Sequence, residues 1–271
     1  MSPEIKKQYA EVLEELERQT LVEEVGLTEM TEREKLWYRV GPAIYVIGKS
    51  FELFDKVAVD QGFSRLLNRV RVKNLGEVNP GNELKNWFSP STCLGMDLPV
   101  AGCHMSHGIV AKHFLKSGKE RVLVFENDCA FTSLLSDEFL TELASWCDNS
   151  EIGFLNLGTT EYTPAHSYFG QSYYTNDVKY SGDKFRIIKN QGALTHSYIM
   201  NRKIAQKLVD SLNVDIPKPE KVYVDFFKDE QHYRGGADNF FMGYVEQYGL
   251  YPAITYQQNI GGNREIIPGI V

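Results

Sequence analysis

The sequence predicts an α/β fold. Short, apolar, β-prone runs recur at Ala43–Ile47, Arg121–Phe125 and Ile152–Leu157, and stretches of helical period separate them. Glycines or turn clusters stand at the junctions: Gly48, Asn79-Pro80-Gly81-Asn82 and Gly118. Apolar runs too short for helices, alternating with helical stretches, are the signature of a sheet covered by helices.

In chain order, Ile5, Tyr9, Val12, Leu13, Leu16 and Val25 recur at roughly helical spacing among glutamates. Residues 1–40 are therefore expected to form an N-terminal helical appendage, and residues 41–271 the main domain. The acidic face of that appendage (Glu11, Glu14, Glu15, Glu17, Glu23, Glu24) disfavours an anionic membrane and favours packing on the body or self-association. Ala43–Ile47 reads as a buried first strand that Gly48 lets turn sharply. A helix is expected over Glu52–Leu67, a strand at Arg69–Val72, and a helix over Ser106–Leu115 that stops at Gly118, a residue suited to the left-handed cap. Strands follow at Arg121–Phe125, Ile152–Leu157 and Ser197–Met200. The last leads into a helix carrying Ile204, Ala205, Leu208, Val209 and Leu212. Thr159–Tyr180, polar and rich in tyrosine, reads as a loop, with Tyr162, Tyr168, Tyr173 and Tyr174 as candidate sugar-stacking platforms.

Composition narrows the function. The 271 residues carry a net charge of −7 and no long Lys/Arg run, which argues against nucleic acid as a partner. No window approaches the roughly 18–20 apolar residues of a membrane span, and no secretory signal is read, so a soluble, cytoplasmic protein is expected. Cys93, Cys103, Cys129 and Cys147 are widely spaced and are expected to be reduced.

The most informative passage is Val122-Leu123-Val124-Phe125-Glu126-Asn127-Asp128, an apolar strand ending in two carboxylates. If the backbone stays extended, Glu126 and Asp128 project to one side and repel each other. Either one pKa rises or a cation binds, and Mg²⁺ or Mn²⁺ held by oxygen ligands suits a diphosphate-bearing substrate. A solvent-facing acidic loop is the plain structural alternative. Downstream, Gln257, Gln258 and Asn259 offer only neutral amides to such a metal shell.

Gly102-Cys103-His104-Met105-Ser106-His107, followed about twenty residues later by that acidic strand end, resembles the family 25 glycosyltransferases. Gly192-Ala193-Leu194-Thr195-His196-Ser197-Tyr198-Ile199-Met200 and Ala237-Asp238-Asn239-Phe240-Phe241 with Tyr251-Pro252 resemble the family's later segments. Order and spacing agree over roughly residues 43 to 258. The resemblance implies a GT-A-type nucleotide-sugar-binding sandwich with a mostly parallel central sheet. It implies an inverting transfer of a hexose, galactose or glucose, from a UDP-sugar to a hydroxyl of a glycan or glycoprotein. Glu126 and Asp128 would hold Mn²⁺ or Mg²⁺, and Asp238 would be the base, with Asp225 its rival and a helix N-cap its structural alternative. Ile47, Gly48, His107 and Thr195 would lie at the donor site. His107 would stand at a helix start within reach of phosphate or metal, and Thr195 would order, with Tyr198, the strand beneath. Two departures stand out: Gly48-Lys49-Ser50 follows the first strand, and Asn127 replaces the family's middle aspartate. The second motivates the alternative of a catalytically silent binding module of the same fold. The N-terminal helix is the candidate surface for a homo-oligomer.

Other motifs fail. Gly48-Lys49-Ser50 lacks the earlier glycine of a phosphate-binding loop, and no serine-hydrolase elbow or dinucleotide fingerprint is present. Cys103, His104 and His107 invite a zinc reading, but no second ligand pair stands at the usual spacing.

Overall fold

The computed structural model describes residues 27–71, 98–151, 153–158, 174–190, 195–211, 241 and 245–258. The described residues form helices α1 (Glu32–Val40), α2 (Glu52–Asp60), α3 (Leu98–Lys116), α4 (Asp137–Asn149) and α5 (Arg202–Ser211). The strands are β1 (Ala43–Gly48), β2 (Leu67–Arg71), β3 (Arg121–Glu126), β4 (Cys129–Phe131), β5 (Phe154–Asn156), β6 (Tyr174–Ser181), β7 (Arg186–Asn190), β8 (Ser197–Asn201), β9 (Gln247–Tyr251) and β10 (Thr255–Gln257).

Eight strands make one sheet in the order β2-β1-β3-β8-β5-β9-β7-β6, and β4 pairs with β10 in a small second sheet. The main sheet is mixed rather than mostly parallel in its pairing. Strands β1, β2 and β3 run together, β8 enters against both β3 and β5, β9 follows β5, and β7 opposes β9 and β6. Six strands thus share one direction, and the two reversed strands, β8 and β7, account for every antiparallel pair.

Alternation along the strands builds a three-layer sandwich. Ile44, Val46, Leu123, Phe125, Leu155, Ile199 and Leu250 meet residues of α1, α2 and α4, including Trp37, Val40, Phe54, Ala58, Phe139 and Leu143, in one apolar cluster. On the opposite face the Tyr45 hydroxyl bonds His113 of α3, and Tyr198 bonds His107 of the same helix. Phe154 stacks on Tyr198, their ring centroids 5.0 Å apart.

Helix α1 is capped by a reciprocal box in which Thr31 accepts from the Glu34 amide and Glu34 accepts from the Thr31 amide. The same Glu34 carboxylate takes Arg65 at 2.8 and 2.6 Å, which holds its pKa at about 2. Trp37 and Val40 of this helix are fully buried, so residues 32–40 form a wall of the core instead of standing off from it. Residues 1–26, which carry most of the expected appendage, lie outside the described residues.

Two further expectations are revised. Helix α3 begins at Leu98, eight residues before the expected Ser106, because its first two turns lack a clean apolar period. It ends near Gly118, whose φ of 71° is the left-handed conformation foreseen for it. Thr159–Tyr180 is not a loop throughout: Tyr174–Ser181 is strand β6, paired with β7, and polar side chains conceal it from composition. Tyr162, Tyr168 and Tyr173 lie outside the described residues, and Tyr174 opens β6.

Candidate active site

After β1 the chain moves to β2 on one side, and β3 then adds to the other side of β1. The carboxyl ends of β1 and β3 therefore flank a switch point, where open α/β sheets form ligand crevices. Gly48 ends β1 there, and Glu126 ends β3, with Ile47 opposite Glu126 in register.

The chain does not stay extended beyond Glu126. Asn127 and Asp128 make a turn into β4, so the period-two expectation that aligned the two carboxylates fails at that point. Asn127 explains the turn. Its amide donates to the Ile47 carbonyl at 2.8 Å, and its side-chain amide donates to the Ser50 carbonyl at 2.9 Å. A carboxylate at this position could not make the second bond, so the asparagine that departs from the acidic pattern has a structural use. Gly48 is needed for the same contact, since a Cβ there would overlap the Asn127 side chain.

The two carboxylates have separate partners. Glu126 Oε1 accepts from Thr195 Oγ1 at 2.5 Å and lies 3.3 Å from His107 Nε2. Burial pushes the Glu126 carboxyl up, but the His107 hydrogen bond and charge, then the Thr195 hydroxyl, outweigh it and hold the pKa below the ordinary value. Asp128 Oδ2 accepts from Gln257 Nε2 at 2.8 Å, and its carbonyl accepts from the Gln258 amide at 2.6 Å. Gln257, foreseen as a weak addition to a metal shell, is thus a direct partner of the acidic turn.

His107 stands in the middle of α3, not at a helix start, and is fully buried. Its Nδ1 is 2.7 Å from the Tyr198 hydroxyl, which leaves Nε2 facing Glu126. Thr195 is 6% exposed and holds Glu126 from the strand side. Ile47 is 2% exposed, and its carbonyl is taken by Asn127, so it shapes the crevice wall from behind. His196, buried beside them, has its pKa pushed down to about 4 by desolvation, against the pull of Glu126.

Among the described residues, one group of metal-ligating side chains converges: Cys103, His107 and Glu126, with ligand atoms within 4.8 Å of one another. Cys103 and His107 stand four apart in sequence, a legible signal; Glu126 joins them only because β3 packs beneath α3. Tyr198 was foreseen as ordering the strand, and its bond to His107 depends on a register that sequence does not display. Asp238 and Asp225 lie outside the described residues. Phe241, three residues beyond Asp238, packs on Phe154 and Tyr198 at centroid distances of 4.4 and 5.1 Å.

The sequence model of a family described as "Glycosyltransferase family 25 (LPS biosynthesis protein)" matches residues 73–227, more than half of the chain. No curated protein matches. Among solved structures, the one titled "Crystal Structure of A197 from STIV" is 11% identical, aligns over 84% of this chain and 99% of its own, and has a TM-score of 0.35.

Proposed function

The chain belongs to glycosyltransferase family 25, and we propose that it is an inverting, GT-A-type enzyme that moves a hexose from a UDP-sugar to a hydroxyl of a glycan or glycoprotein. The observation that carries this reading is the acidic turn Glu126-Asn127-Asp128 at the carboxyl end of β3, beside the switch point with β1. The family's description as lipopolysaccharide biosynthesis proteins supports a glycan acceptor.

The turn suits a hard divalent cation, Mn²⁺ or Mg²⁺. Its side-chain donors are carboxylate oxygens with an amide at hand, and an acidic protein needs positive charge to receive a diphosphate. Asp128 would hold the cation together with the second oxygen of Glu126, whose first is occupied by Thr195 and His107. The bound cation would offset the charge developing on the departing nucleoside diphosphate.

The remaining steps fall to the protein. His107 and Thr195 fix the Glu126 carboxylate and keep it ionised, while Asn127 pins the turn to β1. Gly48 leaves room at the crevice for the turn and the donor to approach. Asp238 would take the proton from the acceptor hydroxyl on the side opposite the leaving group.

The test is donor turnover by the purified chain across a panel of nucleotide sugars with and without Mn²⁺. Cation-dependent release of a nucleoside diphosphate is expected. Pyrophosphate release would indicate a nucleotidyltransferase, and binding without turnover would indicate the silent module.

A further inference from the structure

We propose that Cys103, His107 and Glu126 form a binding site for a zinc-class divalent cation, seated between α3 and the end of β3. The site shares Glu126 with the hard-cation position at Asp128 but faces its other carboxylate oxygen and differs in its sulfur and nitrogen donors, and it does not rest on the transferase reading.

Geometry comes first. Cys103 and His107 are four residues apart on one helix, so their side chains lie on the same face one turn apart. Glu126 meets them from the sheet, and all three ligand atoms fall within 4.8 Å of one another. His107 Nε2 and Glu126 Oε1 are 3.3 Å apart. Two bonds of about 2.0–2.1 Å at the tetrahedral angle set their outer atoms roughly 3.3–3.4 Å apart. That pair therefore already has a zinc-like spacing. A thiolate and an imidazole on the same ion would sit roughly 3.6 Å apart, so Cys103 needs an adjustment on the order of 1 Å at most.

The surroundings are those of an oriented ligand set. Histidines that bind metal are held through their other ring nitrogen, and His107 Nδ1 lies 2.7 Å from the Tyr198 hydroxyl. Glu126 is held likewise by Thr195 Oγ1 at 2.5 Å. Both outer partners come from one short segment, Thr195–Tyr198, which is itself buried. His107 is fully enclosed, whereas Cys103 is half-buried and the Glu126 side chain is 19% exposed. The group thus has an open side, suited to a water as fourth ligand.

Charge and softness select the ion. A thiolate, a neutral imidazole and a carboxylate carry two negative charges, which a divalent cation neutralises in a site that penalises unpaired charge. Binding leaves a thiolate on Cys103 and releases its proton to solvent. Sulfur and nitrogen donors favour zinc over magnesium or manganese. Cys129 and Cys147, by contrast, are buried thiols whose pKa values are pushed up, the second to about 12, and neither joins the group.

The test is a Co²⁺ titration of the metal-stripped full-length chain, followed by near-ultraviolet absorption. The expected result is a thiolate-to-cobalt charge-transfer band that saturates at one equivalent, is displaced by Zn²⁺, and is absent in a folded Cys103→Ser variant. Tyr198→Phe should weaken cobalt binding by about 10- to 100-fold, as loss of an outer partner does. No band in the unsubstituted chain, or a band that survives Cys103→Ser, would overturn the proposal and leave the trio a hydrogen-bonded network alone. UDP binding with Mn²⁺, measured on the same preparation, reports the donor site separately, so failure of either reading is distinguishable from failure of the other.

Discussion

The two faces of β3 solve different problems with the same strand. On one face Phe125 lies within 5.3 to 6.4 Å, ring centre to ring centre, of Phe54, Phe63, Phe131 and Trp37, and Leu123 continues the same apolar cluster. On the other, Val124 gives way at the strand end to Glu126, met by His107 of α3 and Thr195 ahead of β8. The aromatic face gains from close packing, and the four rings around Phe125 carry no charge. The polar end is more open, and it depends on each donor finding its acceptor, because a buried group left unpaired costs its full desolvation. A protein can place a charged site at a sheet edge only if the opposite face is anchored well enough to hold the strand still. The contrast teaches that apolar anchoring and polar pairing are segregated across a sheet one residue thick.

The largest expected effect breaks the anchored face. Phe125→Ala should cost about 3–5 kcal/mol of unfolding free energy, by lost transfer energy and the cavity left among four aromatic rings. Denaturant titration measures it, and the loss should be the same at pH 7 and pH 5, since only apolar contacts disappear.

Acid should strike the polar end instead. Buried His196 has a folded-state pKa of about 4 against an ordinary 6.5. The unfolded chain therefore binds this proton first as pH falls. Stability attributable to the neutral imidazole is complete above pH 6.5, declines through the window from 6.5 to 4, and is level below it, for a total of about 3 kcal/mol. Urea midpoints across that range, compared with a His196→Gln variant, should show the slope reduced.

Tyr198→Phe is a finer cut. It removes one hydroxyl and strands His107 Nδ1 in a buried place, for a loss of about 1–3 kcal/mol. Thermal melts should register it, with the circular dichroism unchanged. Far from both faces, Thr31→Ala should cost only about 1 kcal/mol, the value of one helix cap.

Much of the fold was legible in the sequence, since β1, β3 and β8 are apolar runs and α5, which packs with α3 on the other face, has a clear helical stripe. Helix α4 also carries a readable signal: Ser136 caps it, and Phe139, Leu140, Leu143, Ala144 and Cys147 share its buried side. The polar strands β6 and β7 are not marked by composition, because their pairing with each other and with β9 decides their structure. At the site, the abrupt end of β3 exposed Glu126 and Asp128 as candidates. Their separate partners were not legible. Those depend on the turn that Asn127 makes against β1 and on the register that sets Phe125 opposite Ser197, both long-range facts.

On the proposed function, the acidic turn at the end of β3 holds a divalent cation against a nucleotide diphosphate. Calorimetric titration of the intact chain and of Asp128→Ala with UDP, with and without Mn²⁺, tests it most directly. UDP is expected to bind the intact chain only when Mn²⁺ is present, and the Asp128→Ala variant is expected to keep its fold and lose that binding. Equal UDP affinity in both proteins, or affinity indifferent to Mn²⁺, would contradict it.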